Sequence, residues 1–132
     1  MPQLQPLVLK DRQATPVDHT FTPSEIDKGV GVCVESSGVP IGNNRFTINL
    51  RQNANRRYVG TAKLALPVVQ NQVINGVTTP TVVRTAYVEA TFTFEPTSTE
   101  AERNNAIGMF ADSLAPTKVL VNDTLVKLQG VY

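Results

Sequence analysis

Between residues 45 and 53 the chain alternates without a break. Phe46, Ile48 and Leu50 point one way, and Arg45, Thr47, Asn49, Arg51 and Asn53 the other. A period of two marks a strand with one apolar face and one wet face. A polar turn follows at Ala54-Asn55-Arg56. The next strand runs to Pro67, with Ala62, Leu64 and Leu66 on one side and Thr61, Lys63 and Ala65 on the other. So short a connection predicts an antiparallel hairpin whose polar faces join into one surface carrying Thr47, Arg51, Thr61 and Lys63. Upstream, three further strands are predicted: Leu7-Val8-Leu9, a segment near Asp18-His19-Thr20-Phe21-Thr22, and residues 30–36 between Gly29 and the Gly38/Pro40 pair. Downstream, Asn75-Gly76 is a strong turn signal. Its polar flanks (Gln70, Asn71 and Gln72; Thr78, Thr79 and Pro80) predict an extended hairpin loop over residues 70–80 that projects from the body. Residues 81–94 read as a long strand. Val82, Ala86, Val88, Ala90, Phe92 and Phe94 share one face, with Arg84 an exception, and Thr85, Tyr87, Glu89, Thr91 and Thr93 share the other.

The period changes after Glu95-Pro96. Thr99 and Glu102 have the spacing of a capping box, in which each side chain satisfies the other residue's free backbone N–H. Ala106, Ile107, Phe110, Ala111 and Leu114 then recur at helical spacing. Pro116 is expected to end that helix. A second helix is predicted over residues 117–129, with Leu120, Leu125, Val126 and Leu128 as its apolar positions and Gly130 as its stop. Strands first and helices last is an α+β layout, with the helices covering the apolar face of the sheet. The opposite face, rich in Thr, Asn, Arg, Lys and Tyr, suits a ligand. It is equally the look of an ordinary solvated antiparallel sheet.

Charge sharpens that choice. The formal net charge is only +1, but its distribution is uneven. From Ser36 to Val88 there are six basic residues (Arg45, Arg51, Arg56, Arg57, Lys63 and Arg84) and no Asp or Glu. The other six basic residues share the rest of the chain with all eleven acidic ones. A local anion-binding surface and a run of solvated charges both fit. Chain length, 132 residues, fits one domain, with strands over residues 1–95 and helices over 96–132. Cys33, the single cysteine, sits among Val30, Val32 and Val34 and reads as a small buried hydrophobe. No segment resembles a signal peptide or a membrane span, so a soluble protein made in the cytoplasm is expected. His19 is the only histidine and has no convincing nucleophile beside it. Gly29-Val30-Gly31 lacks the third glycine of a dinucleotide fingerprint, and no Cys/His set has zinc spacing. No enzyme, cofactor or metal reading stands. Asp11, Asp18, Glu25 and Asp27 are scattered carboxylates whose spacing supports no cation site.

Several stretches together resemble one family. Phe46-Thr47-Ile48-Asn49-Leu50-Arg51-Gln52 followed by Lys63-Leu64-Ala65-Leu66-Pro67 resembles the central hairpin of levivirus coat proteins, from single-stranded RNA phages that attach to bacterial pili. So do Val83-Arg84-Thr85-Ala86-Tyr87-Val88-Glu89-Ala90-Thr91-Phe92-Thr93-Phe94, Ser98-Thr99-Glu100-Ala101-Glu102-Arg103 and the ending Gly130-Val131-Tyr132. The resemblance implies an N-terminal β-hairpin, a five-stranded antiparallel sheet and two C-terminal helices. Two chains would interlock as a homodimer, each chain's helices over the partner's sheet, and dimers would tile into an icosahedral shell. The loop at Gln70, Asn71, Gln72, Asn75, Gly76, Thr78 and Pro80 would meet other subunits around symmetry axes, without disulfides.

The resemblance further implies that the open face binds genomic RNA and an operator hairpin at the replicase start, repressing replicase translation. Thr47, Thr61 and Lys63 with Val30 fall where the family builds an adenine pocket. Tyr87 falls where it stacks a loop base. Asn49, Asn53, Arg45, Arg51 and Arg57 match positions on sugar and phosphate. Glu89 departs from the Asn or Asp found in relatives, which puts operator preference in doubt. Two other classes share these features: a discrete RNA-binding sheet module that stops at the dimer, and a shell protein that binds all RNAs alike.

Overall fold

The computed structural model describes residues 2–38 and 40–132. Six strands form one antiparallel sheet in chain order: β1 (Leu7–Lys10), β2 (Asp18–Asp27), β3 (Val30–Glu35), β4 (Asn44–Gln52), β5 (Tyr58–Ile74) and β6 (Val77–Phe94). Two helices follow, α1 (Glu100–Ser113) and α2 (Val119–Leu125). The chain divides into two compact units, Met1–Thr93 and Phe94–Tyr132.

Turn chemistry sets the sheet. Lys28 and Gly29 join β2 to β3, and Asn75 and Gly76 join β5 to β6. In each pair both residues have positive φ (50° and 82°; 51° and 79°). Two left-handed residues in succession give the type I′ turn whose twist matches the strands it connects. The expected N-terminal hairpin is present as β1 and β2, pairing Leu9 with His19 and Leu7 with Phe21. It is not separate from the sheet. The distal half of β2 goes on to pair with β3, so six strands run in one order where the hairpin and five strands were expected. The register shifts between Pro23 and Glu25. Proline has no N–H to give the ladder, so an irregularity there costs little.

A small core lies on the apolar side. Phe21 (2% exposed) and Cys33 (3%) are buried, and the Phe21 ring meets Phe46 edge-on at 6.5 Å. Cys33 pairs with Phe46, and Phe46 with Leu64, so one row of apolar side chains crosses three strands. The segment before β1 packs on this side too: a Cβ on Gly31 would lie 3.0 Å from Leu4 Cδ1. The cysteine is thus the small buried hydrophobe expected from its neighbours.

Two expectations need correction. The extended hairpin over residues 70–80 is present, but its arms are strand and not loop. Gln70, Asn71 and Gln72 lie in β5, Thr78 and Pro80 lie in β6, and only Asn75 and Gly76 turn. Polar composition suggested a loop, but a two-residue type I′ turn propagates pairing from its own ends, whatever the flanks. The second helix is seven residues long instead of thirteen. Leu128 takes φ 58°, and the N–H groups of Lys127 and Gln129 fold back onto the carbonyls of Asn122 and Asp123. Those bonds close the helix at Leu125, five residues before Gly130, the position expected to stop it.

The capping box at α1 is formed. Glu102 N–H donates to Thr99 Oγ1 at 3.2 Å, and Thr99 N–H donates to Glu102 Oε2 at 3.3 Å. The helix ends at Ser113, capped by Leu114, just short of Pro116. Neither α1 nor α2 contains a buried residue. No helix among the described residues is long and apolar enough to cross a membrane.

Candidate nucleic-acid interface

The β4–β5 register assembles the polar face. Arg45 pairs with Ala65, Thr47 with Lys63, Asn49 with Thr61 and Arg51 with Val59. Directly opposed residues stand on the same side with Cβ atoms about 4.5–5.5 Å apart, so each pair is a contact. Val32 of β3 pairs with Thr47, which gives a row Val32, Thr47, Lys63 across three strands. Val30, two residues before Val32, is half-buried on the same side. Thr47, Asn49 and Thr61 are half-buried, whereas Arg45, Arg51 and Lys63 are exposed. The face therefore offers hydroxyls and an amide close to the backbone, with cations standing above them.

Two residues of this face escaped the sequence reading. Val32 and Val59 are buried among the polar positions and give the patch an apolar floor. Both follow from period-two alternation once the register is known, since each stands opposite a polar-face residue. An apolar floor beside Thr hydroxyls and a Lys ammonium is what a planar base needs: a surface to lie on and groups to read its edge.

The turn after β4 is built by Asn53. Its Oδ1 accepts from the N–H groups of Asn55 and Arg57, both at 3.0 Å, and its own N–H donates to the Arg57 carbonyl at 2.9 Å. Gln52 Nε2 donates to the Arg56 carbonyl at 2.9 Å, and Arg56 takes φ 63°. Asn53 Oδ1 is thus occupied by the turn, which leaves its amide N–H₂ as the group for a ligand. The same turn presents Arg56 and Arg57 at the end of the hairpin. Among the described residues no carboxylate pairs with Arg45, Arg51, Arg56 or Lys63. Their charge is unneutralised within the chain, as an anion-binding surface requires.

Tyr87 and Glu89 lie on β6, on the face that alternates away from Val88 and Ala90. Tyr87 is 80% exposed, so its ring is available for stacking. The predicted residues thus divide between the registered β3–β4–β5 patch and β6, the next strand of the same sheet.

His19 is held between Asp11 and Glu35. Its Nδ1 lies 2.9 Å from Glu35 Oε1 and Oε2, and its Nε2 lies 2.8 Å from Asp11 Oδ2. Nothing in the sequence marked this set, because its three members come from different segments. No group of His, Cys, Asp and Glu suited to a metal ion occurs among the described residues.

The chain is thus a single sheet with one polar, cationic face and one apolar face, followed by helices without buried residues. The comparisons with known proteins give this architecture a family. The levivirus coat protein model matches residues 2–132. The capsid protein of Pseudomonas phage PRR1 is 59% identical over 130 residues, covering 98% of this chain and 99% of that one. The virus-like particle of bacteriophage NT-214 matches with a TM-score of 0.83 at 26% identity, over 99% of this chain and all of its own. That of bacteriophage ESE058 shares the fold with a TM-score of 0.86 at 24% identity, with the same coverage. The chain belongs to the levivirus coat protein family.

Proposed function

We propose that this chain is the shell subunit of a single-stranded RNA phage. Two copies interlock as a dimer, dimers tile into a closed icosahedral shell, and the polar sheet face meets the genome inside. The observation that carries this reading is apolar surface left without cover. Ile48 is 51% exposed and Leu50 66%, although both lie on the side that holds Phe46 and the core. On the helices Phe110, Leu120 and Leu125 are exposed as well, as is Val126 just after α2. Burying a side chain of this size contributes about 1.5–3 kcal/mol. A second copy supplies cover for both surfaces when each chain's helices lie over the partner's sheet. The terminal strand β6 has a free edge, and joining two sheets through it removes an aggregation liability. Such a two-fold contact is self-complementary and leaves the remaining surfaces for shell contacts. The exposed Val73, Ile74 and Val77 at the β5–β6 tip are suited to meeting neighbouring subunits.

The role is structural and RNA-binding, not catalytic. Thr47, Thr61 and Lys63, with Val30 and the Val32 floor, receive an unpaired adenine, once on each half of the dimer. Tyr87 stacks a second loop base, and Glu89 accepts from a base amino group. Asn49, the Asn53 amide, Arg45, Arg51 and Arg57 hold sugar and phosphate. The preferred RNA is the operator hairpin at the replicase start, whose capture represses replicase translation. The protein is made in the host cytoplasm and resides in the virion.

Expression of the chain alone in bacteria, followed by negative-stain electron microscopy, tests assembly. Uniform closed particles are the expected result, and dimers alone across salt and added RNA would replace the shell with a discrete RNA-binding module. Competition between a hairpin and unrelated RNA of equal length tests the second half. Equal binding would leave a shell protein without an operator.

A further inference from the structure

The contacts of His19 have a consequence of their own. The imidazole stands between two carboxylates drawn from different parts of the first unit. Asp11 follows β1, and Glu35 ends β3. Carboxylates that are ionised only accept hydrogen bonds, so both ring nitrogens must donate, and only imidazolium carries two N–H groups. Each acceptor is itself fixed. Asp11 Oδ1 takes the N–H of Val17 at 3.0 Å and of Gln13 at 3.2 Å, and its Oδ2 takes Gln13 Nε2 at 2.6 Å. Glu35 Oε1 takes Asn44 Nδ2 at 2.7 Å. The ring thus joins the outer hairpin β1–β2 to the start of β4 through β3. The side chains of His19, Asp11 and Glu35 are each between one fifth and one third exposed, so protons exchange freely with solvent.

We propose that His19 is a protonation-gated clasp, which as imidazolium ties the β1–β2 hairpin to the end of β3 and on losing its proton releases it. Loss of either proton turns one hydrogen bond into a lone pair facing a carboxylate, which repels. Other charged groups lie nearby. Lys10 and Asp18 flank the site and pair with each other at 4.0 Å. Arg12 adjoins Asp11 in the chain. Arg45 of β4 pairs with Val34 and so stands on the opposite face from Glu35. The hydrogen bond that the ring donates to Asp11, then the one to Glu35, raises the His19 pKa above its ordinary value. A group raised on folding contributes fully below its unfolded value and loses that contribution as pH rises through its folded value. Asp11 is held well below the usual carboxylate range, first by the Val17 N–H and then by His19. Its contribution is therefore lost as pH falls below the ordinary carboxylate value toward the lowered one, so release on raising the pH belongs to His19.

Hydrogen–deuterium exchange on the full chain tests it, with rates corrected for intrinsic base catalysis. Peptides covering β1 and the first half of β2 should lose protection severalfold as pH rises from below the ordinary imidazole value through the raised folded one. Peptides from α1 should stay level. In His19→Gln, which cannot ionise, hairpin protection should be low and independent of pH. Glu35→Gln keeps the titrating ring but removes one charged acceptor, so its transition should move to lower pH. A level hairpin in the wild type, the same fall in His19→Gln, or an unmoved transition in Glu35→Gln overturns the clasp. If His19→Gln does not fold, the Glu35→Gln transition alone decides.

Discussion

The two faces of β4 differ in the opposite sense from an ordinary soluble sheet. On the polar face Thr47 and Asn49 are half-buried within the single chain. On the apolar face Ile48 and Leu50 are more than half exposed. Yet Phe46, on that same apolar face, contacts the buried Phe21. The apolar side is therefore closed at the β2–β3 end and open at the end nearest the β4–β5 turn. A chain that folds alone would bury Ile48 and Leu50 first, because aliphatic burial is its main driving force. Leaving them open while building a registered polar patch behind them divides the labour of the sheet. On the proposed function, one face takes another copy of the protein and the other a polar ligand.

The sharpest way to break that comparison is to charge the open apolar face. Ile48→Asp should abolish the dimer, since a carboxylate buried there without a partner costs several kcal/mol. Size-exclusion chromatography and electron microscopy would show monomers or insoluble protein in place of particles. Intact particles would mean that no copy covers Ile48. The mirror experiment charges nothing and acts on the other side. Lys63→Ala should leave particles unchanged while weakening operator-hairpin binding by roughly 10–100-fold, the cost of about 1–3 kcal/mol for a lost charge-assisted contact. Loss of particles together with binding would show that the two faces are not independent.

A finer test separates base reading from charge on the polar face. Arg51→Ala removes one cation next to the Val59 floor and away from the Thr47–Lys63 pair. Binding should weaken for hairpin and unrelated RNA alike, and the slope of log affinity against log salt should fall by about 0.7 to 0.9 if one phosphate contact is lost. An unchanged slope would remove Arg51 from the interface. A loss confined to the hairpin would move it among the base readers.

Much of this was legible in the chain because period two and turn chemistry are local. The alternation of Arg45 to Asn53, the joined polar face and the Thr99/Glu102 box each depend on residues a few positions apart. What was not legible depends on groups that meet only after folding. His19, Asp11, Glu35 and Asn44 come from separate segments, and no spacing rule connects them. Burial of Val32 and Val59 on the polar side depends on register. The same limit explains the two misplaced boundaries. Polar flanks at residues 70–80 looked like a loop because composition was read where pairing from the Asn75-Gly76 turn decides. The short α2 ends before the backbone turns left-handed at Leu128, and leucine carries no local signal for that turn.

The smallest effect expected probes an element that belongs to neither face of β4. Thr99→Ala deletes one half of the capping box and leaves the N–H groups of the first turn of α1 with one fewer acceptor. The cost should be about 1 kcal/mol, within the range of roughly 0.5–2 for a lost N-cap. That loss is modest beside the burial expected from Phe110, so dimers and particles should persist with a lower thermal midpoint. RNA affinity should not move, because the Val32–Thr47–Lys63 row is built by the pairing of β3, β4 and β5. The double variant with Lys63→Ala gives the decisive reading. If one face assembles and the other binds, the stability loss and the affinity loss should add to within a few tenths of a kcal/mol, as expected for separated sites. A larger coupling would mean that order in α1 is transmitted to the polar face, and the division between the faces of the sheet would fail there.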